Sequence, residues 1–119
     1  MVTKLYDVHI LVCKPAGKKL KSERDALDLI GEAMESGAEL ILVPVERFED
    51  DFFHLKTRLA GEIIQKFVTY RRRLVILGDI SRYVAQSHAF EDFVYETNRG
   101  NHVWFITNLQ ELDERLKPT

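Results

Sequence analysis

Apolar residues along this chain fall into two patterns. In one they form short continuous runs; in the other they recur at every third or fourth position. Val8 to Cys13 (VHILVC), Glu39 to Val45 (ELILVPV), Leu74 to Ile80 (LVILGDI) and His102 to Thr107 (HVWFIT) are continuous and rich in β-branched residues, which predicts buried strands. VTKL, just before the first run, predicts an edge strand folded back at Tyr6-Asp7, without the Asn-Gly or Asp-Gly pair of the strongest hairpin turns.

Between these runs the spacing is helical. Ser22 followed by Asp25 imitates a capping box, Ala26, Leu27, Ile30, Ala33 and Met34 share one face, and Gly37 is the expected stop. Leu59, Ala60, Ile63, Ile64, Phe67 and Val68 form a second apolar face, with Thr57 as its expected cap and the basic run Arg71 to Arg73 as its end. Phe52, Phe53 and Leu55 are expected to plug the core ahead of it. A polar stretch then leads to a helix near Ala89 to Thr97, with Phe90, Phe93 and Val94 inward and Gly100 as its stop. Asn108 is expected to cap a closing helix, LQELDERLK.

Strands alternating with helices in this way predict right-handed crossovers and parallel pairing, and near-continuous apolar strands predict a sheet covered on both faces. The expected fold is α/β: one compact domain over residues 1–119. Its mostly parallel, mixed sheet has four to five strands, with the four long runs as adjacent central strands and about four helices in two or three layers.

Composition narrows the function classes. At 119 residues, 45% hydrophobic and 30% charged, the chain suits one soluble globular domain. A formal charge of -2 argues against a general nucleic-acid binder, which would carry a basic face. No apolar run approaches the ~20 residues of a membrane span. The N-terminal segment, with an acid and only a short apolar stretch, does not read as a signal peptide. Cys13 is the single cysteine, so no internal disulfide is expected, and a reducing cytoplasm is the simplest location.

The segments ERDALDLIG, DDFFHLKT, AGEIIQKF, RLVILGDIS and FVYETNRG together resemble a family of small bacterial proteins known only as domain of unknown function 4180. The resemblance runs from about Ser22 to Leu116. A glycine is common in that family where this chain has Arg58, so the helix start differs here. The order hairpin, helix, strand, acidic loop, helix, strand, helix, strand, helix is also similar to the domain shared by anti-sigma factor antagonists and sulfate transporters (STAS). That likeness implies a regulatory or protein-binding module. In it, a serine or threonine at the start of the second helix is phosphorylated and switches partner binding; Thr57 sits at the comparable place.

Read from the residues alone, Thr57 is either such a switch or a helix cap, and caps are far commoner. Glu46, Glu49, Asp50 and Asp51 follow the second long strand and Asp79 ends the third, the end of an open α/β sheet where ligands gather. With His54 these acids could hold a hard cation. However, no acid ends the first long strand and no two histidines have metal-ligand spacing, so a solvated acidic loop is the simpler reading and no metal is expected. The lysine-rich loop CKPAGKKLKSE fails as a phosphate loop: Val12 stands where the first glycine belongs and Lys19 follows Lys18. Arg99 is available for a carboxylate or phosphate. Tyr83, Tyr95 and Trp104 could line a groove, although core is the commoner role. No complete catalytic constellation is present and no cofactor is expected. A binding module with a partner protein, in a chain that pairs as a homodimer through its apolar edge strand, is the leading expectation; a small-molecule or anion-binding domain, or a minor enzyme using the strand-end acids, is the alternative.

Overall fold

The computed structural model describes residues 1–118. Five strands form one sheet in sequential order: β1 (Val2–Leu5), β2 (Val8–Val12), β3 (Leu40–Pro44), β4 (Arg73–Leu77) and β5 (Val103–Ile106). β1 and β2 are an antiparallel hairpin; the remaining neighbours pair in parallel, with Ile41 opposite Leu74 and Ile76 opposite Phe105. The hairpin turns at Tyr6 and Asp7, both at positive φ (50° and 67°), as a two-residue primed turn requires.

Five helices connect and close the sheet: α1 (Glu23–Ser36), α2 (Leu59–Thr69), α3 (Ser81–Gln86), α4 (His88–Arg99) and α5 (Leu109–Leu116). Because each parallel crossover steps to the next strand in the same direction, right-handed connections stack α1, α2 and α4 on one face. Side-chain alternation agrees. Leu11, Ile41, Val43, Leu74, Ile76, Val103 and Phe105 pack with Ile30 of α1, Ile63 and Phe67 of α2 and Phe90 of α4 in the larger core. Ile10, Leu40, Leu42, Val75, Trp104 and Ile106 face the other way, against Leu112 and Leu116 of α5. Both faces are covered, but unequally.

The local signals mostly hold. Ser22 Oγ accepts the Asp25 N–H at 3.2 Å, and the Asp25 carboxylate accepts from Lys21 N rather than from the cap residue's own N–H. Gly37 closes α1 at φ 75°. Asn108 Oδ1 accepts the Glu111 N–H at 2.9 Å. Four expectations are corrected. Met34 is half exposed, and Leu29 takes the buried place on α1 beside Ile30. Residues 81–86, expected as a polar connection, form α3, so there are five helices rather than about four. α2 stops at Thr69, and Arg73 of the basic run opens β4 instead of ending the helix. β5 is an edge strand rather than a central one. No described helix is long and apolar enough to cross a membrane.

Candidate functional site

The connections at the two ends of the sheet differ in length. At the amino ends of β3, β4 and β5 the chain turns tightly through Gly37–Glu39, Tyr70–Arg72 and Gly100–His102. The carboxyl ends of β2 and β3 carry the long segments 13–22 and 45–58, and the short segment 78–80 follows β4 at this same end, where open α/β sheets place their ligands. Thr57, Asp50, Asp51 and Asp79 all lie at this end.

Segment 45–58 is a chain of three 3₁₀ turns, Val45–Arg47, Asp50–Phe53 and Leu55–Thr57. Its apolar members anchor it: Phe48, Phe52 and Phe53 are buried and in ring contact, and Phe53 stacks on Tyr83 with centroids 4.4 Å apart. Leu20 and Phe48 form an isolated parallel bridge that ties this segment to 13–22. Arg47 completes the tie, its Nε donating to Lys18 O at 2.7 Å and its Nη1 to Lys14 O at 3.1 Å.

Thr57 is exposed and stands one position earlier than a cap. The residue flanking α2 is Arg58, whose side chain makes no cap and whose φ is 65°. This is the left-handed region that favours glycine. Thr57 nevertheless organises the helix start. Its hydroxyl donates toward the carbonyls of Asp51 (2.6 Å) and His54 (2.9 Å) and accepts the Leu59 N–H at 3.3 Å.

Asp50 faces Tyr83. The phenol donates to Asp50 Oδ1 at 2.7 Å, and Arg82 reaches the same oxygen at 3.4 Å while also contacting the Tyr83 hydroxyl and covering its ring. The tyrosine hydrogen bond, assisted by the Arg82 charge, holds the exposed Asp50 carboxyl below the usual range. Burial, then the carboxylate, pushes the Tyr83 phenol up. Asp79 is held low by Ser81, whose side chain and backbone N–H both serve its carboxylate; Ser81 N donates at 2.9 Å and starts α3.

A shallow concavity of about 360 Å³ lies between Lys21, Glu49, Asp50, Asp51 and Leu59, with Lys21 Nζ and Glu49 Oε1 3.9 Å apart. Thr57 and Asp79 are not among its walls. At the α1 start Ser22 Oγ already takes the Asp25 N–H, and the Asp25 carboxylate already holds Lys21 N and Lys18 Nζ, the latter at 3.1 Å. Among the described residues, no three His, Cys, Asp or Glu side chains come together as metal ligands.

Arg99 is not part of this constellation. α4 ends just before β5 begins, so Arg99 sits at the opposite end of the sheet, paired with Glu96 at 3.8 Å and over the Tyr95 ring at 5.9 Å. Tyr95 is exposed, whereas Trp104 is buried with its Nε1 donating to Gly100 O at 2.7 Å. Sequence reasoning missed Arg47 and Arg82, and named Tyr83 without its partner. Spacing gives no sign of such contacts, since Tyr83 and Asp50 meet across two crossovers.

No curated protein and no solved structure matches the chain. The sequence model of one family, described as "Domain of unknown function (DUF4180)", matches residues 6–116, from the hairpin turn to the last residue of α5. With nearly its whole length matched, the chain belongs to the DUF4180 family.

Proposed function

We propose that this domain is a regulatory, protein-binding module of STAS type. It meets its partner through the surface around Thr57, Asp50, Asp51 and Asp79 at the carboxyl ends of the parallel strands. One observation carries the reading: the exposed Thr57 hydroxyl joins two 3₁₀ turns to the start of α2 through contacts with Asp51 O, His54 O and Leu59 N. A phosphoryl group on that oxygen removes the proton the two carbonyls share and adds roughly 1.5 to 2 negative charges. Asp50 and Asp51 then repel the loop from its present path, while Lys56 and Arg58 offer it new partners. The local shape of the surface is thereby coupled to one covalent change. The shallowness of the surface supports protein docking over enclosure of a small molecule. Small-molecule or anion binding, or a minor enzymatic activity of the strand-end acids, is the second reading. It draws on the concavity between Lys21, Glu49, Asp50 and Asp51.

Intact mass of the protein isolated from its native host shows whether Thr57 is modified. Partner affinity is then compared for wild type, Thr57→Ala and Thr57→Glu at matched stability. Thr57→Glu is expected to weaken binding at least about tenfold, or 1.4 kcal/mol. Thr57→Ala is expected to keep the partner while losing about 1–2 kcal/mol of stability with its hydrogen bonds. Equal affinity for all three proteins would leave Thr57 as a structural tie alone.

A further inference from the structure

At the opposite end of the sheet, a groove of about 570 Å³ opens between the α2–β4 turn and the turn before β5, lined by Val68, Arg71, Arg73, Asn101 and His102. No acid is among its walls; Glu39 acts on Arg73 only from beside it. Among the described residues, none of Arg71, Arg72 and Arg73 enters an ion pair. Arg73 is fixed: its guanidinium lies 4.6 Å over the Trp104 ring and Nε donates to Asn101 O at 3.0 Å, which leaves its terminal nitrogens without a described partner. Arg72 keeps a buried Nε with no partner and makes only long contacts, 3.3 and 3.4 Å, to carbonyls of its own turn.

Arg71 is the informative residue. It sits at φ 54°, in the left-handed region where glycine or asparagine closes a helix without strain. Its exposed side chain has no hydrogen bond or ion pair among the described residues; the conformation is held by backbone bonds of the helix end, Arg71 N donating to Val68 O at 3.1 Å and Arg72 N to Phe67 O at 2.9 Å. The turn thus places an arginine whose side-chain donors are not used by the fold in the wall of the groove. A single exposed ion pair contributes little, so an anion held here must engage several of these donors together. A carboxylate matches one guanidinium fork; phosphoryl groups, with more oxygens and more charge, match two arginines and the neighbouring polar groups.

We propose that this groove binds phosphoryl oxyanions carried by a small molecule, with Arg71 and Arg73 as the principal donors and Asn101 and His102 flanking them. The probe is inorganic pyrophosphate, titrated calorimetrically at low ionic strength into wild type and Arg71→Gly. The glycine removes the charge yet suits the backbone, so its melting temperature is expected to hold or rise while affinity falls at least tenfold. Lys19→Ala, which removes an equal charge from segment 13–22 at the other end of the sheet, is expected to leave affinity unchanged. Hexaglutamate, which carries more negative charge but only as carboxylates on a peptide, is expected to bind more weakly than pyrophosphate. Absence of pyrophosphate binding to wild type, or equal affinity in Arg71→Gly, overturns the site. Tighter binding of hexaglutamate overturns its assignment to phosphoryl groups in favour of an acidic protein segment.

Discussion

Asn98 is expected to be one of the most sensitive polar positions in the molecule. β5 is an edge strand, and the backbone groups of Phe105 point away from β4. The Asn98 side chain, reaching from α4, takes the place of a further strand: its Oδ1 accepts the Phe105 N–H at 2.7 Å and its Nδ2 donates to Phe105 O at 3.2 Å. Phe105 is only 4% exposed, so both backbone groups depend on this amide. Asn98→Ala leaves a buried donor and a buried acceptor unpaired, each at about 1–3 kcal/mol when kept dry. Water reaching an edge strand brings the sum toward the lower end, about 2–4 kcal/mol in total. The opened edge also becomes a template for pairing between chains. Urea unfolding followed by circular dichroism measures the first effect, and light scattering over a range of concentrations measures the second. Asn98→Asp keeps an acceptor for the N–H but sets a carboxylate oxygen against Phe105 O. Its destabilisation should therefore exceed that of alanine at pH 7 and shrink below about pH 4, where the protonated acid again donates. A loss under about 0.5 kcal/mol for Asn98→Ala, with unchanged association, would refute the idea that this side chain closes the edge.

Three further outcomes are expected. Arg58→Gly relieves a left-handed residue, about 1–2 kcal/mol, against about 0.4–1 kcal/mol of added unfolded-state entropy, so a net gain of up to about 1.5 kcal/mol should appear as a raised midpoint in denaturant. Gly78→Ala should lose about 2–5 kcal/mol, because φ is 147° and a Cβ would lie 2.6 Å from Val45 Cγ2; a midpoint near that of wild type would contradict it. Tyr83→Phe removes the hydrogen bond that lowers the Asp50 pKa. With the folded-state pKa depressed, the stabilisation is complete above the unfolded value near 4 and is lost as pH falls from there through the lower folded value, so the difference in melting temperature between Tyr83→Phe and wild type should narrow in acid. A difference that stays constant from pH 7 to pH 2 would show that Asp50 is not its cause.

Much of this architecture is written in short-range pattern. The runs VHILVC, ELILVPV, LVILGDI and HVWFIT became strands because continuous β-branched residues suit a sheet covered on both faces. Ser22, Gly37 and Asn108 ended or began helices because their geometry is set by residues within one turn. Alternation between strand and helix then carried the α/β class and the parallel pairing, and the acids at Asp50, Asp51 and Asp79 fell at the carboxyl end of the sheet by topology alone.

Contacts that join distant segments were not legible. Residues 81–86 looked like a loop because their polar pattern hides one buried residue, Tyr83; packing on Phe53 and the bond to Asp50, 33 residues away, make them a helix. Arg47 reads as an ordinary charged residue until the fold carries the carbonyls of Lys14 and Lys18 to its guanidinium. Arg58 and Arg71 carry no sequence mark of positive φ, since that conformation is imposed by the elements they connect. Arg99 was separated from the acids for the same reason: α4 runs back along the sheet and delivers it to the far end. Spacing within one turn of chain fixes caps, faces and strands, whereas hydrogen bonds and ion pairs across crossovers exist only once burial of the two apolar cores has set the distances between segments.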